Sequence, residues 1–199
     1  MAGLIAVMDT LRPDAKTAVK RLQQMGLRVM LLTGDRLEAA DAIAQLAGIT
    51  QVFASVRPEE KAAVIQSLQT DTSSVVAMVG DGINDAPALS QANVGIALKA
   101  GTDIAMESAQ IVLMRAQLND VVEAIELSRA TFNKIRQNLF WAFAYNILGI
   151  PVAAGVLLPI SGFVLSPASA GALMAFSSVS VVANSLLLRR LKNRLDTSQ

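Results

Sequence analysis

From Asn138 to Leu188 the chain carries no charged side chain, although acidic and basic residues punctuate it from Asp9 to Arg136. Two apolar runs divide this stretch, residues 138–158 and residues 168–188, and each matches the roughly 20 residues needed to cross a hydrocarbon core. Pro159, Gly162 and Pro167 mark an uncharged turn between them. Lys134 and Arg136 stand before the first run, and Arg189, Arg190, Lys192 and Arg194 follow the second. Basic flanks outside both runs, with none in the turn, place the turn (159–167) on the extracytoplasmic side. The preceding region and the basic tail (189–199) then lie in the cytoplasm. The reading is therefore a two-helix transmembrane hairpin in a lipid bilayer, at the cell membrane. A buried hairpin in a soluble core is the alternative, but soluble helices of this length keep a polar face.

Before the hairpin, short apolar runs alternate with amphipathic stretches. Leu4–Met8, Arg28–Leu32, Val52–Ala54, Val75–Val79, Val94–Ala97 and Ile111–Met114 read as strands, most of them apolar on both faces. Pro13–Met25, Arg36–Ala47 and Pro58–Leu68 read as helices, with prolines in two first turns and Gly26 and Gly48 as stops. This alternation predicts a doubly wound α/β domain around a parallel sheet, with its ligand crevice at the carboxyl ends of the strands. A further helical pattern, residues 118–137, leads to the first apolar run.

Cysteine and histidine are both absent, which excludes disulfides, thiolate catalysis, imidazole bases and zinc clusters built on those residues. A net charge of +1, without a basic patch interleaved with aromatics, gives no sign of a nucleic-acid partner. The chemistry is expected after Leu32 and after Val79. Thr33-Gly34-Asp35 offers a hydroxyl and a backbone amide beside a glycine, suited to phosphoryl oxygens or, equally, to a capped turn. Gly80-Asp81-Gly82-Ile83-Asn84-Asp85-Ala86-Pro87 carries two carboxylates four residues apart, an arrangement that favours a cation such as Mg²⁺. Asn84 adds a neutral donor. Lys61, near the start of the Pro58 helix, reads alone as a solvated lysine and beside a phosphate as a stabilising charge.

Taken together, these segments resemble the haloacid dehalogenase-like phosphotransferases and, more narrowly, the P-type ATPases. The stretch 78–97, MVGDGINDAPALSQANVGIA, resembles that family's hinge signature; LLTGD at 31–35, the lysine after RPEE and GTDIAMESA at 101–109 follow in its order. The resemblance implies a phosphorylation domain over 1–117 and a cytoplasmic stalk over 118–137. It implies that Thr33, Gly34, Asp35, Lys61 and Asn84 serve the phosphoryl group, that Asp81 binds Mg²⁺ and that Asp85 supports the metal site. The family's nucleophile lies in an Asp-Lys-Thr-Gly-Thr segment followed by a nucleotide-binding domain, and neither occurs in these 199 residues. The expectation is thus the C-terminal part of a pump, inactive alone, whose remaining part supplies the ATP site. A membrane-tethered phosphatase using Asp9 is one alternative, although Leu11 stands where such enzymes carry a second acid. A non-catalytic truncated membrane protein is another.

Tyr145-Asn146 in the first apolar run, and Met174, Ser177 and Ser178 in the second, place polar and thioether groups at membrane depth. Such groups mark ion paths or helix contacts, and a thioether favours Cu(I). The Tyr-Asn and Met-x-x-Ser-Ser pattern resembles the copper-exporting branch of the heavy-metal ATPases. The implied cargo is Cu(I) or Ag(I), held by Tyr145, Asn146, Met174 and Ser178. Zinc and cadmium pumps would be expected to carry charged residues in these helices.

Overall fold

The computed structural model describes residues 10–70, 74–80, 83–98, 107–162 and 166–188. The Leu4–Met8 strand, Asp9, Asp81, Gly82, most of the 101–109 segment and the basic tail lie outside these residues. The chain divides into two compact units, Met1–Val122 and Glu123–Gln199.

In the first unit, helix α1 (Ala15–Gln24) precedes strand β1 (Met30–Leu32), helix α2 (Leu37–Ala47), strand β2 (Gln51–Phe53), helix α3 (Pro58–Leu68) and strand β3 (Ala77–Gly80). A 3-10 turn (Ile83–Asp85), helix α4 (Ala86–Gln91), strand β4 (Val94–Leu98) and strand β5 (Ile111–Leu113) follow. All pairings among the described residues are parallel. Strand β1 pairs with β2, Leu31 opposite Val52, while β3, β4 and β5 form a separate sheet with β4 at its centre. The helix–strand alternation expected of an α/β domain is therefore present, in two sheets among the described residues. Gly95, Ile96, Ala97 and Leu98 are all buried, as a strand covered on both faces requires.

Local chemistry explains the boundaries. Gly48 closes α2 with φ +79°, where a side chain would be strained. Pro58 opens α3, and the Glu60 carboxylate accepts from the Arg57 N–H at 3.1 Å. Helix α1 starts two residues after Pro13, at Ala15 rather than in the expected first turn. Its Asp14 makes no cap of its own. That carboxylate instead accepts from the N–H of Asn119, 105 positions later in the first turn of another helix, at 3.2 Å. Arg12 reinforces the junction by donating to the Ala116 carbonyl at 2.8 Å.

The core under the site comes from α3, β3 and α4: Ile65, Met78, Ala88, Leu89 and Ala92, with Leu32, Val76 and Ala109 packed against it. Alanines at 40, 44 and 47 bury one face of α2, and α1 packs on that helix.

Helix α5 runs without interruption from Leu118 to Ala153. The sequence reading divided this stretch into a stalk and a membrane run meeting at residue 138. No glycine or proline occurs between 118 and 148, so nothing breaks the hydrogen-bond ladder where polarity changes. The helix tolerates Pro151 and stops short of Leu158, leaving an apolar helical part of about 24 Å from residue 138. A short helix α6 (Leu158–Ser161) follows, then α7 (Pro167–Leu186), capped by the Ser166 hydroxyl. Among the described residues, α7 is the helix long and apolar enough to cross a membrane.

Among the described glycines, the tightest approach to backbone lies in β4. A Cβ on Gly95 would sit 2.5 Å from the Leu89 carbonyl oxygen and 3.0 Å from Gln110 Oε1, which accepts from the Gly95 N–H. Gly95→Ala is expected to destabilise the β4 region by about 3 kcal/mol, since backbone must move. Native-state hydrogen exchange of the β4 amides in detergent measures this directly, and protection equal to that of the parent chain would refute the clash.

Candidate functional site

The two motifs form two local constellations at strand ends. After β1 the chain turns through Thr33-Gly34-Asp35. The Thr33 hydroxyl donates to Asp35 Oδ2 at 2.8 Å and accepts from the Asp35 N–H at 3.1 Å, so the turn is self-capped. After β2 a second loop is stitched to it: Thr33 N–H donates to the Phe53 carbonyl at 2.9 Å, Val56 N–H to the Thr33 carbonyl at 3.1 Å, and Ser55 N–H to the Asp35 carbonyl at 2.7 Å. A Cβ on Gly34 would lie 3.4 Å from the Val56 carbonyl oxygen. Ser55 adopts φ +54°, the left-handed region that non-glycine residues rarely occupy. The sequence reading did not single out Ser55. Its only signal is its place directly after a strand end, where backbone strain gathers around sites.

The second constellation joins α3 to the segment after β3. Lys61 Nζ donates to Asp85 Oδ1 at 2.7 Å, and both side chains are 14% exposed. Lys61 is thus not the solvated lysine that its surroundings in sequence suggest. Ile65, one turn along α3, sits in the core and turns Lys61 toward Asp85. Gly80 completes the fit, because a Cβ there would lie 2.8 Å from both Asp85 Cβ and Oδ2. Asn84 is exposed on the turn between β3 and α4. Asp81 lies outside the described residues, among which no three acidic groups gather as a metal site.

In the second unit Asn146 and Ser178 bond within their own helices. Asn146 Nδ2 donates to the Ala142 carbonyl at 2.8 Å, and the Ser178 hydroxyl to the Met174 carbonyl at 3.2 Å. The Tyr145 ring lies 6.1 Å from that of Trp141, centroid to centroid, and Met174 is 69% exposed. Among the described residues, no hydrogen bond brings Tyr145 or Asn146 to Met174 or Ser178. The bonds made by Asn146 and Ser178 use donors, which leaves acceptor capacity on both oxygens. Those oxygens and the thioether are the atoms that a cation could use.

Comparison with known proteins follows the same division. Residues 1–93 match the haloacid dehalogenase-like hydrolase family model. The chain is 56% identical, over 98% of its length and 26% of the relative's, to the probable copper-transporting ATPase PacS of Synechococcus elongatus. It is 51% identical to a copper-exporting P-type ATPase of Vibrio cholerae, over 98% of this chain and 21% of that one. It therefore spans about a quarter of the length of these curated relatives. A crystal structure of a zinc-transporting PIB-type ATPase in its E2.Pi state superposes with a TM-score of 0.77 at 39% identity, covering 91% of this chain and 28% of that one.

The Lys61–Asp85 pair can be tested by a double-mutant cycle. Lys61→Met should cost about 3 kcal/mol by leaving a mostly buried carboxylate unpaired, and Asp85→Leu should recover part of that loss in the Lys61→Met background. Hydrogen exchange in α3 and α4 reads the local stability. Strictly additive effects would mean that the two groups do not act as a pair.

Proposed function

We propose that this chain, which carries a haloacid dehalogenase-like domain and is homologous over nearly its whole length to copper-transporting P-type ATPases, forms part of an ATP-driven Cu(I) export pump. Residues 1–117 belong to the phosphorylation domain, 118–137 to a cytoplasmic stalk, and 138–158 and 168–188 to two crossings of the cell membrane. The turn 159–167 is extracytoplasmic and the tail 189–199 cytoplasmic. Another part of the pump supplies the phosphorylated aspartate and the ATP site. The Asp-Lys-Thr-Gly-Thr segment that such a pump needs is absent from these 199 residues.

In this reading the phosphorylation half works by electrostatics and positioning, as phosphoryl transfer generally requires. Thr33 and Asp35, with Gly34 allowing close approach, form one side of the phosphate site, and Asn84 presents a neutral donor from the other motif. Lys61 is held by Asp85 with its charge ready for a phosphoryl oxygen. That pairing bears on the cation. We assign Mg²⁺ to Asp81, with Asp85 supporting the metal site while its Oδ1 holds Lys61. One protein carboxylate is enough for Mg²⁺, which keeps waters and phosphate oxygens.

The ion class rests on one observation: an uncharged stretch from 138 to 188 whose polar groups include a thioether and oxygens with spare acceptor capacity. Soft Cu(I) suits Met174 better than Zn²⁺ does, and Ag(I) fits the same donors. The zinc-transporting neighbour keeps the contrast testable. In lipid nanodiscs the chain should bind Cu(I) in preference to Zn²⁺, and Met174→Leu should weaken Cu(I) binding by at least about tenfold. Chelator-competition titration measures both. Equal affinity for the two metals would remove the copper assignment.

The phosphoryl half has its own test. Incubated with Mg²⁺ and labelled acetyl phosphate, the chain should form no acid-stable acyl phosphate. A label removed by Asp9→Asn would replace the pump reading with that of a tethered phosphatase.

A further inference from the structure

The two apolar helices are joined by one compact polar cluster. Asn184 on α7 accepts from Lys134 Nζ at 2.8 Å and donates to Asn138 Oδ1 at 2.7 Å, both on α5. Asn138 Nδ2 in turn donates to the Ser185 hydroxyl at 2.9 Å, and Lys134 also reaches Gln137 Oε1 at 3.3 Å. Lys134, Asn138 and Asn184 are half-buried, in a region where most neighbours are exposed. Polar groups bonded across helices at a membrane boundary resist sliding, because any slip leaves several of them without partners.

The place of this cluster along the helices gives it a consequence. At about 1.5 Å per residue, Tyr145 and Asn146 lie roughly 10–12 Å along α5 from Asn138. Ser178 and Ser177 lie roughly 9–10 Å along the antiparallel α7 from Asn184, and Met174 roughly 15 Å. Locked at the Asn138–Asn184 contact, the helices therefore bring Tyr145 and Asn146 level with the two serines and less than one turn from the level of Met174. A slip of one turn, about 5.4 Å, would carry the groups past each other.

We propose that Asn184, bonded to Lys134 and Asn138, is a positioning residue that sets the register of α7 on α5 and so holds Tyr145, Asn146 and Ser178 at similar depth, with Met174 about one turn or less from Tyr145 and Asn146. The register is independent of any cargo. Its functional meaning rests on the copper-path reading above, and the test separates the two.

The chain has no cysteine, so a Phe132→Cys/Phe176→Cys pair can be spin-labelled uniquely. Both positions are more than half exposed (61% and 72%) and lie about 21 Å apart along the helix axes in this register, so a slip along the axes changes their separation. In the full chain in phosphatidylcholine–phosphatidylglycerol nanodiscs, pulsed electron paramagnetic resonance should give one narrow distance. Asn184→Leu should broaden it or move it by about 5 Å, the size of one helical turn. Asn184→Asp, which keeps an acceptor for Lys134, should retain it. An unchanged distance in Asn184→Leu overturns the proposal. If circular dichroism shows that this variant loses helix, Lys134→Met carries the same test with the same two outcomes. Cu(I) titration of the shifted variant forms the second arm. A fall of about tenfold or more ties the register to the ion path, in line with the loss on removing groups that orient metal ligands. An unchanged affinity beside a shifted distance leaves the register standing and removes the copper-path reading.

Discussion

The ion pair between Lys61 and Asp85 organises the first unit, because it can form only if three elements meet correctly. Helix α3 must present Lys61 and Ile65 on one face, strand β3 must end in a residue without a Cβ, and α4 must begin directly at Asp85. Each condition has its own physical cause. Pro58 and the Glu60 cap start α3 at the right residue. Burial of Ile65 among Met78, Ala88 and Leu89 sets its rotation. The missing side chain at Gly80 lets Asp85 fold back against its strand. A charged pair this enclosed is costly to assemble and tolerated only with good geometry. Its presence at a strand end, where ligand crevices form in α/β sheets, therefore points to use and not to stability alone.

The other loop reaches order by a different route. Around Thr33 the order comes from backbone: Phe53, Val56 and Ser55 exchange hydrogen bonds with residues 33–35, and the Thr33 and Asp35 side chains close on each other. Ser55 carries the conformational strain that this close approach demands. The result is a pair of loops whose polar groups are satisfied before any ligand arrives. Preorganisation of this kind suits electrostatic stabilisation of a transferring group, since little reorganisation remains to be done.

How far the sequence could be read follows from which forces are local. Helix stops at Gly26 and Gly48, the α3 start and the central burial of β4 depend on neighbouring residues, and they were legible. The 80–87 motif stood out because two acids between glycines have few other uses; of the two, Asp85 is seen to meet Lys61, and Asp81 lies outside the described residues. What escaped depended on residues far apart in the chain. Asp14 looks like a cap for its own helix, yet it serves Asn119. Lys61 looks solvated until Asp85 is placed beside it. Ser55 has no sequence signal for its strained backbone beyond its place after a strand end. The stalk-to-membrane boundary at residue 138 was drawn from a change in polarity, and one helix runs through it from Leu118 to Ala153.

Between residues 138 and 188 the chain carries three asparagines, and their bonding divides them by role. Asn138 and Asn184 use both ends of the carboxamide: each donates and each accepts, with Lys134, Gln137 and Ser185 completing the set. These bonds run from one helix to the other, so these two residues hold the helices together. Asn146 donates to the Ala142 carbonyl in its own helix, and this bond leaves its oxygen out. Ser178 follows the same pattern toward the Met174 carbonyl. A cation needs acceptors and has no use for donors. The Ser161 and Ser185 hydroxyls make the same bond to the carbonyl four residues back, so this pattern keeps oxygen lone pairs free without by itself marking a ligand.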